Sequence, residues 1–173
     1  AGNLSDVAVR TVMVADTQPP LIQINGEPSV QVEAGSVYTD AGAVALDVFD
    51  GEISSSLETA SNVRTDVPGL YSVKYIVSDA AGNIADEVVR LVEVVDTTGP
   101  VISLLGEAVA VTAYGLEYVD PGVTARDLIG EDVSDLVEVV SHLDTTRLGT
   151  YEIHYSAMDK SGNHGEPVIR VVV

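Results

Sequence analysis

The chain repeats itself at an offset of 80 residues. Ala1-Gly2-Asn3 returns as Ala81-Gly82-Asn83 and again as Ser161-Gly162-Asn163, and Asp16-Thr17-Gln18-Pro19-Pro20 returns as Asp96-Thr97-Thr98-Gly99-Pro100. Residues 16–93 align on 96–173 without a gap at 25 identities, and residues 1–15 match 81–95 at 8 positions. Whatever one copy folds into must therefore be a unit that can be strung in tandem. The identities fall mostly on turn glycines and carboxylates, among them Gly26/Gly106, Gly42/Gly122, Gly69/Gly149, Asp40/Asp120, Asp47/Asp127 and Asp79/Asp159. The sequence thus reads as the last strand of a preceding repeat (1–15), a full repeat (16–95) and a nearly full one (96–173), a slice of a longer array.

Each copy is built for strands. Val, Ile and Thr are frequent, and Gly and Pro interrupt the chain at short intervals. Tyr71, Val73, Tyr75 and Val77 alternate with Ser72, Lys74, Ile76 and Ser78, and Tyr151, Ile153, Tyr155 and Ala157 repeat the pattern, as a half-buried strand requires. Leu21–Asn25, Val30–Glu33, Gly42–Asp47, Leu57–Val63 and Val88–Val95 supply further strands. Several short strands in some 80 residues predict an all-β fold: two tandem antiparallel β-sandwiches of about seven strands each.

Composition narrows the possible partners. Lys+Arg total 8 against 27 Asp+Glu, a net charge of −19. Such a surface repels phosphate backbones and anionic headgroups, so nucleic acid and membrane surfaces are poor partners. Hydrophobic residues make up 46% of the chain, enough for a core. Cysteine is absent, which removes disulfides, thiolate metal sites and cysteine nucleophiles. No run approaches the ~18 apolar residues of a membrane span.

The ordered motifs resemble a known family. Asp-Thr-x-x-Pro is followed by Tyr-x-Asp-x-Gly, Gly-x-Tyr, Asp-x-x-Gly-Asn and a valine-rich strand, in both copies. This order resembles the bacterial Ig-like and hyalin-type (cadherin-like) tandem repeats of secreted and cell-surface proteins, and it covers nearly the whole chain. The resemblance implies Ig-like sandwiches, an extracellular or cell-surface location, and a role in stalks, adhesins or fibres or beside the catalytic domains of secreted enzymes. Gly69-Leu70-Tyr71 and Gly149-Thr150-Tyr151 resemble the corner at which a tyrosine hydroxyl bonds back to the chain at the start of strand F.

Acidic residues recur where an Ig-type sandwich gathers its chain entry, B–C loop and F–G loop at one end. Asp16 and Asp96 open their repeats, Asp47 and Asp127 end a strand, and Asp79 and Asp159 begin a turn completed by Asn83 and Asn163. Asp50 joins the first set; in the second copy Glu131 and Asp132 stand nearby instead. Oxygen ligands converging on one pole suit calcium, which takes six to eight of them. The same residues also make good turns by themselves, because Asp and Asn side chains bond nearby backbone. An ion at this pole would stiffen the short linker 95–100.

Other constellations lead to structural readings. His142, His154 and His164 have no counterparts in the first copy and no ligand spacing, so they are expected in solvent. No Gly-x-Ser-x-Gly turn or glycine-rich phosphate loop accompanies the serines, so an enzyme is not expected. Lys74 sits on the polar face of its strand, away from any isopeptide bond; Arg10, Arg90 and Arg170 recur at a position of the last strand that could face inward, and are read mainly as surface arginines laid along the sheet or paired with a carboxylate.

The leading expectation is a non-catalytic stalk or spacer module of a surface protein or adhesin, in contact with neighbouring repeats of the same chain, with calcium as the candidate ion that would rigidify it. A filament subunit, joined to identical subunits by residues 1–15 as a donor strand, is the alternative. A carbohydrate-binding accessory of a secreted enzyme is a third reading. It rests on Tyr114, which the repeat does not share.

Overall fold

The computed structural model describes residues 6–173. Seven strands follow in the first repeat: β1 (Leu21–Ile24), β2 (Ser29–Glu33), β3 (Ala43–Asp47), β4 (Gly51–Glu52), β5 (Glu58–Ser61), β6 (Gly69–Ile76) and β7 (Val88–Val95). They form a three-stranded sheet in the order β1-β3-β4 and a four-stranded sheet in the order β2-β7-β6-β5. The second repeat has six: β8 (Val101–Leu104), β9 (Val109–Ala110), β10 (Val123–Arg126), β11 (Glu138–Ser141), β12 (Tyr151–Ser156) and β13 (Val168–Val172). Its sheets run β10-β8 and β11-β12-β13-β9; the β9–β13 pair is parallel and the others antiparallel.

The lost strand has a local cause. In the first copy Leu46 and Asp47 pair with Glu52 and Gly51 across a turn whose glycine, Gly51, has φ +76°. In the second copy the glycine stands one residue earlier, at Gly130 with φ +84°, and the turn closes through the Asp127 N–H on the Glu131 carbonyl at 2.9 Å. Only a single bridge, Arg126 to Asp132, survives there.

The alternating pattern sets the core. In the second repeat Ile102 and Ala125 of one sheet meet Ile153, Tyr155 and Val172 of the other, with Val133 and Ala157 alongside. Ile22, Ala45, Val73, Tyr75 and Val92 are buried at the matching positions of the first repeat. Burial of each such aliphatic side chain contributes about 1.5–3 kcal/mol. Ser54 and Ser134 complete the edges. Each sits in a single 3-10 turn and accepts a strand N–H on its hydroxyl, from Ala45 at 3.0 Å and Ala125 at 2.9 Å. The tyrosine corners form as expected: the Tyr71 hydroxyl donates to the Val67 carbonyl at 2.8 Å and that of Tyr151 to the Arg147 carbonyl at 3.0 Å.

The recurrent arginines correct the surface reading. Arg90 and Arg170 are fully buried. The Arg170 guanidinium pairs with Asp120 and donates to the Leu105 and Gly122 carbonyls at 2.6 and 3.1 Å. Tyr155 donates its hydroxyl to the other Asp120 oxygen at 2.7 Å, and its ring lies 5.8 Å from the guanidinium carbon. Arg90, Asp40, Tyr75 and the Gly42 carbonyl repeat the arrangement. An ionised group enters a core only when it is paired and hydrogen-bonded, and this network meets that condition. It explains why Tyr-x-Asp-x-Gly recurs: the Asp supplies the charge and the Gly the carbonyl.

Residues 6–15 belong to no strand, and Val7, Val9, Val12 and Val14 are exposed. By compactness the chain divides into two units. One holds the segment ending at Ser29 with Asp40–Asn62 and Ser72–Leu91; the other holds Val30–Thr39, Val63–Tyr71 and Val92–Val173. Among the described residues no helix is long and apolar enough to cross a membrane.

Candidate metal centre

Each repeat brings three of its recurrent aspartates together. In the first, Asp16 precedes β1, Asp47 ends β3 and Asp79 opens the turn after β6; one carboxylate oxygen from each lies within 4.8 Å of the others. Asp96, Asp127 and Asp159 meet by the same measure in the second. Asp47, Asp79, Asp127 and Asp159 are buried, while Asp16 and Asp96 are half-buried.

Local hydrogen bonds hold these carboxylates in place. Asp47 Oδ1 accepts the N–H groups of Phe49 and Asp50 at 2.7 and 2.8 Å. Asp79 takes the Asn83 N–H on Oδ1 and the Asn83 side-chain amide on Oδ2, both at 2.7 Å. Burial raises the Asp79 carboxyl, but the Asn83 bonds outweigh it and leave the group below its ordinary value. Asp159 and Asn163 repeat the pair at 2.8 and 3.0 Å, and the Asn163 amide also reaches the Asp96 carbonyl at 3.1 Å.

The remaining candidates stand beside the trios. Asn83 and Asn163 spend their amides on Asp79 and Asp159 and so orient them. Asp50 accepts the Ala80 N–H at 2.8 Å and ties the two loops together. Glu131 pairs with Lys160, and Asp132 takes the Ser134 hydroxyl at 2.6 Å. The histidines are exposed, and His154 faces Glu152 at 2.9 Å. Lys74 lies on the surface against Glu87 at 3.0 Å. Tyr114 is exposed on the rim of an open groove with Arg147, Leu148 and Tyr151.

One site carries no signal in the repeat. Glu33 accepts the Thr97 N–H at 2.9 Å and the Thr97 and Thr98 hydroxyls at 2.8 Å each, all within the second compact unit. Position 33 becomes Ala113 in the other copy, so repetition gave no signal. Ser161, which is Ala81 in the first copy, donates its hydroxyl to Asp96 at 2.6 Å.

The sequence matches a family described as "Bacterial surface protein, Ig-like domain" over residues 22–94 and 102–173. The chain belongs to that family. Two matches correspond to the two copies, so the Ig-like surface family accounts for the duplication as well as the fold. Pesticidal crystal protein Cry22Aa of Bacillus thuringiensis is 29% identical over 163 residues, 89% of this chain and 22% of that protein. Hyalin of Strongylocentrotus purpuratus is 28% identical over 166 residues, 91% of this chain and 14% of that protein. The chain thus spans about a fifth or less of these relatives. A solved structure of the M60 catalytic domain with CBM51-1 and CBM51-2 from Clostridium perfringens ZmpB shares the fold. Its TM-score is 0.52 at 12% identity, covering 89% of this chain and 30% of that one.

Proposed function

We propose that this surface Ig-like chain is a non-catalytic spacer in an extracellular protein, and that its repeats hold position rather than perform chemistry. The fastening of linker 96–99 carries this reading. On one side Glu33 takes three hydrogen bonds from Thr97 and Thr98. On the other, Ser161 and Asn163 hold Asp96. Gly99 presses so closely on the His164 carbonyl that a Cβ would overlap it. A linker bonded on both sides resists hinging, which a stalk needs and a free tether does not. The net charge of −19 keeps such chains apart in solution.

Small-angle scattering and backbone relaxation test the reading. The wild type is expected to tumble as one body, with the Glu33→Ala variant gaining independent motion of its repeats. Independent tumbling in the wild type would reject the spacer.

A second reading rests on residues 6–15. Arg10 stands in register with Arg90 and Arg170, both buried, while the valines around it are exposed and unpaired. Such a segment suits strand addition to a sheet edge of an identical subunit, as in donor-strand assembly. Residues 1–5 of this segment lie outside the described residues. Polymers that vanish when residues 1–15 are deleted would favour the filament over the spacer.

A further inference from the structure

We propose that Asp16, Asp47 and Asp79 form a binding site for a hard divalent cation of the calcium class, and that Asp96, Asp127 and Asp159 form its copy. Two oxygens on one calcium ion, each about 2.3–2.6 Å away, lie no more than about 5 Å apart. The three oxygens of each trio satisfy that limit, at 4.8 Å or less from one another. They come from three separate segments, so the fold assembles them.

The independent observation is an orphaned oxygen. Asp47 is only 8% exposed, and its Oδ2, the oxygen not used by Phe49 and Asp50, is buried without a partner. The Oδ2 of Asp16 is buried and unpartnered as well. A buried carboxylate oxygen without a donor is costly, and the carboxylates of one trio repel one another. A cation between them removes both penalties. No ion pair among the described residues involves any of the six aspartates, so no lysine or arginine fills that role.

The donor set selects the ion. All six ligands are carboxylates, with neither imidazole nor thiolate, which disfavours zinc and copper. Magnesium holds its waters and demands a tight octahedron, whereas calcium accepts several carboxylates from flexible loops. The two sites are not equivalent. Ser161 and Asn163 already tie Asp96, whereas Ala81 offers Asp16 nothing, so the first trio has more to gain from the ion. The second trio includes Asp96, the residue before the threonines that Glu33 holds. An ion there fastens the same linker, a mechanical consequence that rests on the spacer reading.

Calorimetry and ¹H–¹⁵N spectra of the chelator-stripped chain, titrated with calcium chloride alone, test the site. Two bound ions per chain are expected, with dissociation constants of order 10⁻⁴–10⁻³ M as in extracellular modules. The calcium-induced shifts should be confined to amides 16–18, 47–50 and 79–83 and their equivalents. Asp47→Asn should lose one ion, Asp127→Asn the other, and the double variant both. The variants relieve repulsion, so their calcium-free melting temperature should be unchanged or raised. No binding at 10 mM calcium, or shifts scattered over the acidic surface, would overturn the proposal. Two ions bound with the linker dynamics unchanged would leave the sites standing and reject their role in the spacer.

Discussion

Arg170 pairs with Asp120 from inside the second sandwich, its side chain wholly without solvent exposure and Asp120 partly exposed at 27%. Removing the cation strands a carboxylate against an apolar core. Arg170→Met is expected to lower stability by about 3 kcal/mol in a denaturant titration. Arg126 also pairs with a carboxylate, Asp132 at 3.5 Å, but both side chains are more than half exposed. Arg126→Ala should change stability by less than about 1 kcal/mol. Equal effects would show that burial does not govern these pairs.

Tyr155 shares that network, and its phenol is pushed well above its ordinary value of 10.0, by burial first and then by Asp120. Above pH 10 the unfolded chain loses this proton while the folded one keeps it. Stability must therefore fall as pH rises past 10. Unfolding titrations from pH 9 to 11.5 should show this slope for the wild type and a shallower one for Tyr155→Phe.

Glu33 titrates in the opposite sense. Hydrogen bonds from the Thr97 amide, the Thr97 hydroxyl and the Thr98 hydroxyl hold its carboxyl below the ordinary 4.5. The linker fastening is thus fully present above pH 4.5 and is lost as pH falls through the lowered folded value. The Thr97 amide should be protected from exchange at pH 6 and lose that protection as pH falls below 4.5 through the lowered folded value, and Glu33→Ala should lack it throughout.

Gly99 answers to space rather than to backbone angle. A Cβ there would overlap the His164 carbonyl, and one at Gly165 the Pro100 carbonyl. Gly99→Ala is expected to cost about 1–3 kcal/mol through forced backbone movement. Gly115→Ala meets nothing within 4 Å but sits at φ +74°, so its cost is backbone strain alone. Spectral changes at His164 in the first variant and not the second would separate the two causes.

Much of this was legible in the residues. The 80-residue offset, the alternation around Tyr71–Val77 and its copy, and the Gly-x-Tyr corners specified duplicated sandwiches. They are local signals: period-two burial and turn chemistry act between near neighbours in sequence. Repetition also marked the six aspartates, because both copies keep them. The arginines were misread for the opposite reason. Arg90 lies 50 residues from Asp40 and 15 from Tyr75, and no local pattern states that they meet. The shared recurrence of Arg, Asp and Tyr at one offset was the available clue.

The sequence by itself determined what is copied: strands, turns and the acidic positions, since each depends on side-chain type and short-range spacing. Only the tertiary structure decided which of these residues face one another. It turned the arginines inward, left Asp47 Oδ2 without a donor, and set Glu33 on the linker threonines, because burial and pairing over tens of residues follow from how sheets close on a core.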